Sequence, residues 1–215
     1  MKSHLTSKTT VVKLWALHGL VDFYIGFDIW DRFDWYSAFL WHQGLEKFCK
    51  AYLLGTKSSE YECLPEQQAR ETIDKIVRKE MGHNLIDMLD KLIAIKVLNK
   101  EVKTKVYRYY GKDYTGEELI EILEKAYIEC RYPLITDPVK RVYFTPEKTS
   151  WWDPLSSQEL MNFTFEVGLK ILGSIEKDFN ITISRNRTEN EGLLFKFVKN
   201  EDWLRFRRYF FEEDV

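Results

Sequence analysis

The sequence predicts an all-α fold, an up-and-down antiparallel helical bundle with one long loop and a C-terminal extension holding candidate short strands. Helix breakers are scarce: 10 glycines and 5 prolines make up about 7% of the 215 residues, against an average near 12%. Apolar residues also recur at three- and four-residue steps through one segment after another, with cap or stop residues between them.

The first helix is expected over Thr9 to Asp28, with Val12, Trp15, Ala16, Gly19, Phe23 and Gly26 or Phe27 in register. A second runs from Trp35 to Leu54. Leu40, Trp41, Leu45, Phe48, Cys49 and Tyr52 repeat there, Gln43, Glu46, Lys47 and Lys50 fill the other side, and Gly55 ends it. Pro65 opens a third helix, to Met81, around a narrow stripe of Ala69, Ile73, Ile76 and Val77, and Gly82 stops it. Asn84 is the expected N-cap of a fourth helix, which buries Leu85, Met88, Leu89, Leu92 and Ile93. After a tyrosine-rich stretch with two glycines, Thr115 caps a helix from Glu117 to Arg131, and Pro133 halts it. Leu134 to Leu155 reads as a long surface loop, and Ser156 or Ser157 caps a last core helix to Asp178. Ile181 to Ile183 and Leu193 to Val198 are the candidate strands. Trp203 to Phe211 is a tail of arginines and rings suited to docking on the bundle or on a dimer partner. Residues 1–180 thus form the bundle, with an insertion at about 56–81, and residues 181–215 an extension packed on it.

Composition narrows the function classes. A content of 45% apolar and 31% charged residues is that of a globular chain. The net charge of −2 excludes coating nucleic acid by bulk charge, so any such contact must be a local patch. Cys49, Cys63 and Cys130 have no C-x-x-C spacing and an odd count, the usage of reduced thiols. Residues 1–10 lack an apolar signal core, and Val11 to Trp30 carries His18, Asp22 and Asp28, which suits an amphipathic helix better than a membrane span. A cytoplasmic protein without a membrane partner is expected, and the N-x-[ST] triplets at Asn162, Asn180 and Asn186 are then chance. His4, His18, His42 and His83 show no ligand spacing, so neither a metal nor a cofactor is expected.

Four segments in order resemble the HEPN domain family, in its nucleotidyltransferase-associated branch. The run His42-Gln-Gly-Leu-Glu-Lys-Phe-Cys-Lys-Ala51 is similar to that family's H-x-A/G-x-E-K-x-x-K-A core. Gly82-His-Asn-Leu85 with Met88 and Leu89 resembles its G-H-x-L-x-x-L-L element. Ala126 with Arg131-Tyr-Pro133 resembles its A-R-Y-P helix end, and Leu160 to Lys177 its closing helix. The likeness spans about Trp35 to Lys177, leaving out Glu60 to Met81 and everything from Arg185 onward. It implies a helical bundle that pairs as a homodimer, a neighbouring nucleotidyltransferase as partner, and metal-independent ribonuclease activity in many members, in toxin–antitoxin or defence systems.

The resemblance also supplies site candidates. Family ribonucleases carry R-x(4–6)-H in the closing helix, where Arg steadies phosphate charge and His moves the proton of a 2′-hydroxyl. Leu160 to Lys177 contains neither Arg nor His, and Arg185 to Asn190 has asparagine where the histidine would stand. A non-catalytic module binding a nucleotide, RNA or a partner nucleotidyltransferase is therefore the leading expectation. Its nucleotide-binding candidates are Gln43, Lys47, Lys50, His83, Arg131 and Tyr132, with the lysines as point charges for phosphate. The alternative is a divergent ribonuclease using the one R-x(4)-H string, Arg78 and His83, or the basic pair Arg185 and Arg187. A structural scaffold is the third reading.

Overall fold

A computed structural model describes residues 6–31, 34–109, 111–131, 135–137, 142–143, 158–183 and 200–211. These form eight α-helices and two small hairpins: α1 (Lys8–Ile29), α2 (Asp34–Thr56), α3 (Glu66–Ile76), α4 (Leu85–Ala94), a single turn α5 (Glu101–Thr104), β1 (Val106–Tyr109), β2 (Lys112–Thr115), α6 (Gly116–Arg131), β3 (Ile135–Asp137), β4 (Val142–Tyr143), α7 (Gln158–Phe179) and α8 (Asn200–Phe211). The all-α bundle is therefore the fold.

Local signals act where the sequence puts them. The Ser7 side chain accepts from the Thr10 N–H at the start of α1, and Asn84 Oδ1 accepts from the Asp87 N–H at 2.9 Å to open α4. Thr115 and Glu118 form a reciprocal capping box ahead of α6, with Thr115 N–H donating to Glu118 at 2.7 Å. The third helix changes character near its end: Val77–Met81 is a π turn, closed by Gly82 at φ 66, a conformation that glycine reaches without Cβ strain. The tyrosine-rich stretch is an antiparallel hairpin, Val106 opposite Thr115 and Tyr109 opposite Lys112, turning at Gly111 with φ 78.

α2 is the central helix and packs on α1, α4, α6 and α7. Trp41, Phe48 and Leu45 from α2, Phe23 and Leu20 from α1, and Phe163 from α7 are fully buried. By length and apolar content α1 is, among the described residues, the one helix able to cross a membrane, and half of that stretch is buried inside the bundle. The arginine- and ring-rich tail is a helix, α8. Trp203, Phe206 and Phe210 bury themselves against Tyr24 and Phe27 of α1 and Phe165 of α7, while Arg205 lies 5.2 Å from the Phe27 ring centre. One expectation is corrected: Ile181 to Ile183 is irregular chain, not strand. Glu176 takes its backbone donors instead, the Ile181 N–H on its carbonyl and the Ile183 N–H on its carboxylate, and Ile181 and Ile183 sink into the core as single side chains. Leu193 to Val198, the Ser156/Ser157 cap and most of the expected loop lie outside the described residues.

Glu166 ties the β1 hairpin to α7. It accepts from Lys105 at 2.5 Å, Lys170 at 2.8 Å and the Tyr107 hydroxyl at 3.1 Å. Partial burial opposes its charge, but these donors prevail and pull its carboxyl down to about 2. A carboxylate depressed in the folded state contributes stability that is present above its unfolded pKa, about 4.3, and lost as pH falls toward the folded value. Denaturant titrations of the parent and Glu166→Gln proteins should therefore differ most at neutral pH and converge between about pH 5 and 2. A gap that stays constant through that window would contradict the assignment.

Candidate functional site

His42, Glu46 and Lys50 stand at i, i+4 and i+8 on α2, so one side of the helix carries an imidazole, a carboxylate and an ammonium in a row. All three are buried: His42 is 0% exposed, Lys50 1% and Glu46 5%. Such charges persist in a core only when paired. Lys50 Nζ donates to Glu46 Oε1 at 2.5 Å and lies 6.0 Å from the Trp15 ring centre. His83 reaches the same oxygen from the α3–α4 junction, its Nδ1 3.0 Å from Glu46 Oε1. Because a carboxylate only accepts, Nδ1 carries the hydrogen and donates, which leaves Nε2 as the second nitrogen of a side chain that is 62% exposed.

The other wall comes from α6. Glu124 Oε1 lies 3.6 Å from His42 Nε2, while Glu46 Oε2 lies 3.9 Å from His42 Nδ1, so the buried imidazole sits between two carboxylates at distances too long for hydrogen bonds. Both His42 nitrogens and Glu46 Oε2 are indeed without a hydrogen-bond partner. Glu124 also accepts from the Leu85 N–H, which places its charge at the N-terminus of α4. Burial works against that charge, yet the His42 ring and the Leu85 and Ile86 N–H groups hold its carboxyl below the ordinary range.

Flat rings enclose the polar core. Tyr127 of α6 stacks on His42 with centroids 4.4 Å apart and planes 16° apart, on Phe39 at 5.9 Å and 4°, and near His83 at 6.2 Å and 20°. Tyr36 stacks on Phe39 at 5.4 Å. A second polar contact joins α1 to α2 next door, where Lys47 pairs with Asp22. Burial raises the Asp22 carboxyl against the pull of Lys47, and burial followed by Lys47 lowers His18.

The sequence candidates thus separate. His83 and Lys50 meet on Glu46. Lys50, expected on a polar helix side as a phosphate contact, is instead sealed between helices and neutralised, because α2 is central and has no solvated side at that depth. Lys47 is engaged by Asp22, and Gln43 is half-buried on α2. Arg78 pairs with Asp74 at 3.0 Å on the exposed side of α3. Arg131 is the last residue of α6; its side chain, Tyr132, Arg185 and Arg187 lie outside the described residues. Glu124 was not among the candidates, since a lone glutamate in a charged helix carries no signal by itself. Tyr127 and Phe39 read as ordinary apolar stripe. Among the described residues no group of three or more His, Cys, Asp or Glu side chains is disposed to hold a metal ion. Compared with family models, curated proteins and solved structures, the chain matches none of them.

Proposed function

We propose that this protein is a non-catalytic HEPN-like module that binds a nucleotide or an unpaired RNA end, working as a homodimer in the cytoplasm beside a nucleotidyltransferase partner. One observation carries the reading. Three segments far apart in the chain, each singled out by resemblance, converge on a single cluster: His42, Glu46 and Lys50 from the first, His83 and the Leu85 N–H from the second, and Tyr127 of α6 just after Ala126 of the third. The cluster opens to solvent at His83, whose exposed imidazole, backed by the buried Tyr127 ring, offers polar and stacking contacts to a base. Absence of Arg and His from Leu160 to Lys177 and burial of His42 argue against catalysis there.

A thermal melt with ATP or a short unstructured RNA tests this. Ligand at about 100 times Kd stabilises the native state by about 2.7 kcal/mol, a rise of roughly 5–10 °C for a chain of this size. No rise with any nucleotide or RNA leaves the scaffold reading. A second reading, the divergent ribonuclease, is favoured by the Glu46–His83 contact, since a carboxylate that fixes one nitrogen prepares the other for proton transfer. RNA cleavage in excess chelator that disappears in His83→Ala would select it; intact RNA supports the binding module.

A further inference from the structure

The cluster holds a feature that polar contacts alone do not explain. Tyr36, Phe39, Tyr127 and His42 follow one another as near-parallel rings, with neighbouring planes 21°, 4° and 16° apart, and His83 lies 20° from the Tyr127 plane. The inner members are covered, Tyr127 at 7% and His42 at 0% exposure, whereas His83 at the outer edge is mostly open. Exposed imidazoles ordinarily rotate freely, and ordering one costs side-chain entropy. Here the ring is already held: Nδ1 is fixed by Glu46, whose carboxylate is fixed by the buried Lys50.

We propose that the exposed face of His83 is a preorganised stacking seat for a nucleobase, with a purine favoured for its larger ring area. This rests on the nucleotide-binding reading above and names the part of the ligand that the site recognises. The chemistry is that of single-strand binding surfaces, where a base lays its π-face on a rigid ring and selectivity among bases is modest. Preorganisation by Glu46 and Lys50 is what lets a surface histidine serve, because the ring pays little further ordering on binding. The contact is made by the ring face, so neither His83 nitrogen has to act on the ligand.

The test measures affinity for adenosine 5′-monophosphate and for a short oligoadenylate, with ribose 5-phosphate as a base-less control. His83→Ala and His83→Gln should each weaken both adenine probes by roughly 5- to 150-fold, the range for losing one stacked base. His83→Phe should lose less affinity than His83→Ala or His83→Gln, since it restores a ring face while giving up the Nδ1 anchor on Glu46. Ribose 5-phosphate should compete weakly. The seat is refuted if His83→Gln binds as well as the parent while His83→Phe does not, because the contact is then a hydrogen bond. It is refuted as well if His83→Ala binds normally or if ribose 5-phosphate competes like the nucleotide; in either case nucleotide binding itself stands. A parent protein that binds neither adenine probe overturns the seat and nucleotide binding together.

Discussion

Glu46→Ala is expected to cost about 3–5 kcal/mol, because it strands a buried charge. Lys50 would stay sealed between helices at 1% exposure with no counter-charge, and His83 would lose the oxygen that holds it. Removing one partner of a buried pair costs far more than the pair contributes, since the desolvation of the survivor is no longer offset. The companion change shows whether this is the cause. Glu46→Ala combined with Lys50→Met leaves no orphan charge and should recover a large part of the loss in urea unfolding. If Glu46→Ala alone costs less than about 1 kcal/mol, the site of Lys50 is wetter than its burial implies.

Gly44→Ala should also be strongly disruptive, and it acts through shape. α1 and α2 cross where Gly19 faces Gly44, close enough that a Cβ on Gly44 would lie 2.2 Å from the Phe23 ring and 3.0 Å from the Gly19 carbonyl oxygen. Phe23 cannot give way easily: it packs at 5.2 Å against each of Phe48, Phe165 and Phe210. Overpacking of this kind costs about 1–3 kcal/mol or more, which outweighs the roughly 1 kcal/mol that alanine gains over glycine in a helix. Gly173 on α7 is the control, since nothing lies within 4 Å of its would-be Cβ. Gly173→Ala should raise the melting temperature and Gly44→Ala lower it; equal effects of either sign would contradict the crossing geometry.

Much of the bundle was legible because its signals are local. The caps at Asn84 and Thr115, the stop at Gly82 and the apolar stripes lie within a few residues of what they control, whereas Gly55, expected to end α2, lies inside it and packs against Phe179. The hairpin at residues 106–115 was missed as secondary structure, although Gly111 marks its turn, because charged and tyrosine residues there give no clear alternation. The fate of Lys50 was illegible for another reason. Periodicity tells which residues share a face, but whether a second polar-looking face meets solvent depends on how many helices surround α2, and that is fixed by the whole fold. Glu124 belongs to the same class: its role exists only because α6 brings it to His42 and to the first turn of α4. The convergence of the three resembling segments is a tertiary fact that spacing in the chain does not contain.

The central claim, that this cluster is the ligand-facing part of the protein, is tested most directly by following the His83 imidazole signals in NMR while a short single-stranded RNA is added. His83 and the ring protons of Tyr127 are expected to shift together in a saturable way, with His18 unmoved and the RNA intact at the end. Saturable binding that leaves His83 and Tyr127 unchanged would place the ligand elsewhere and contradict the claim.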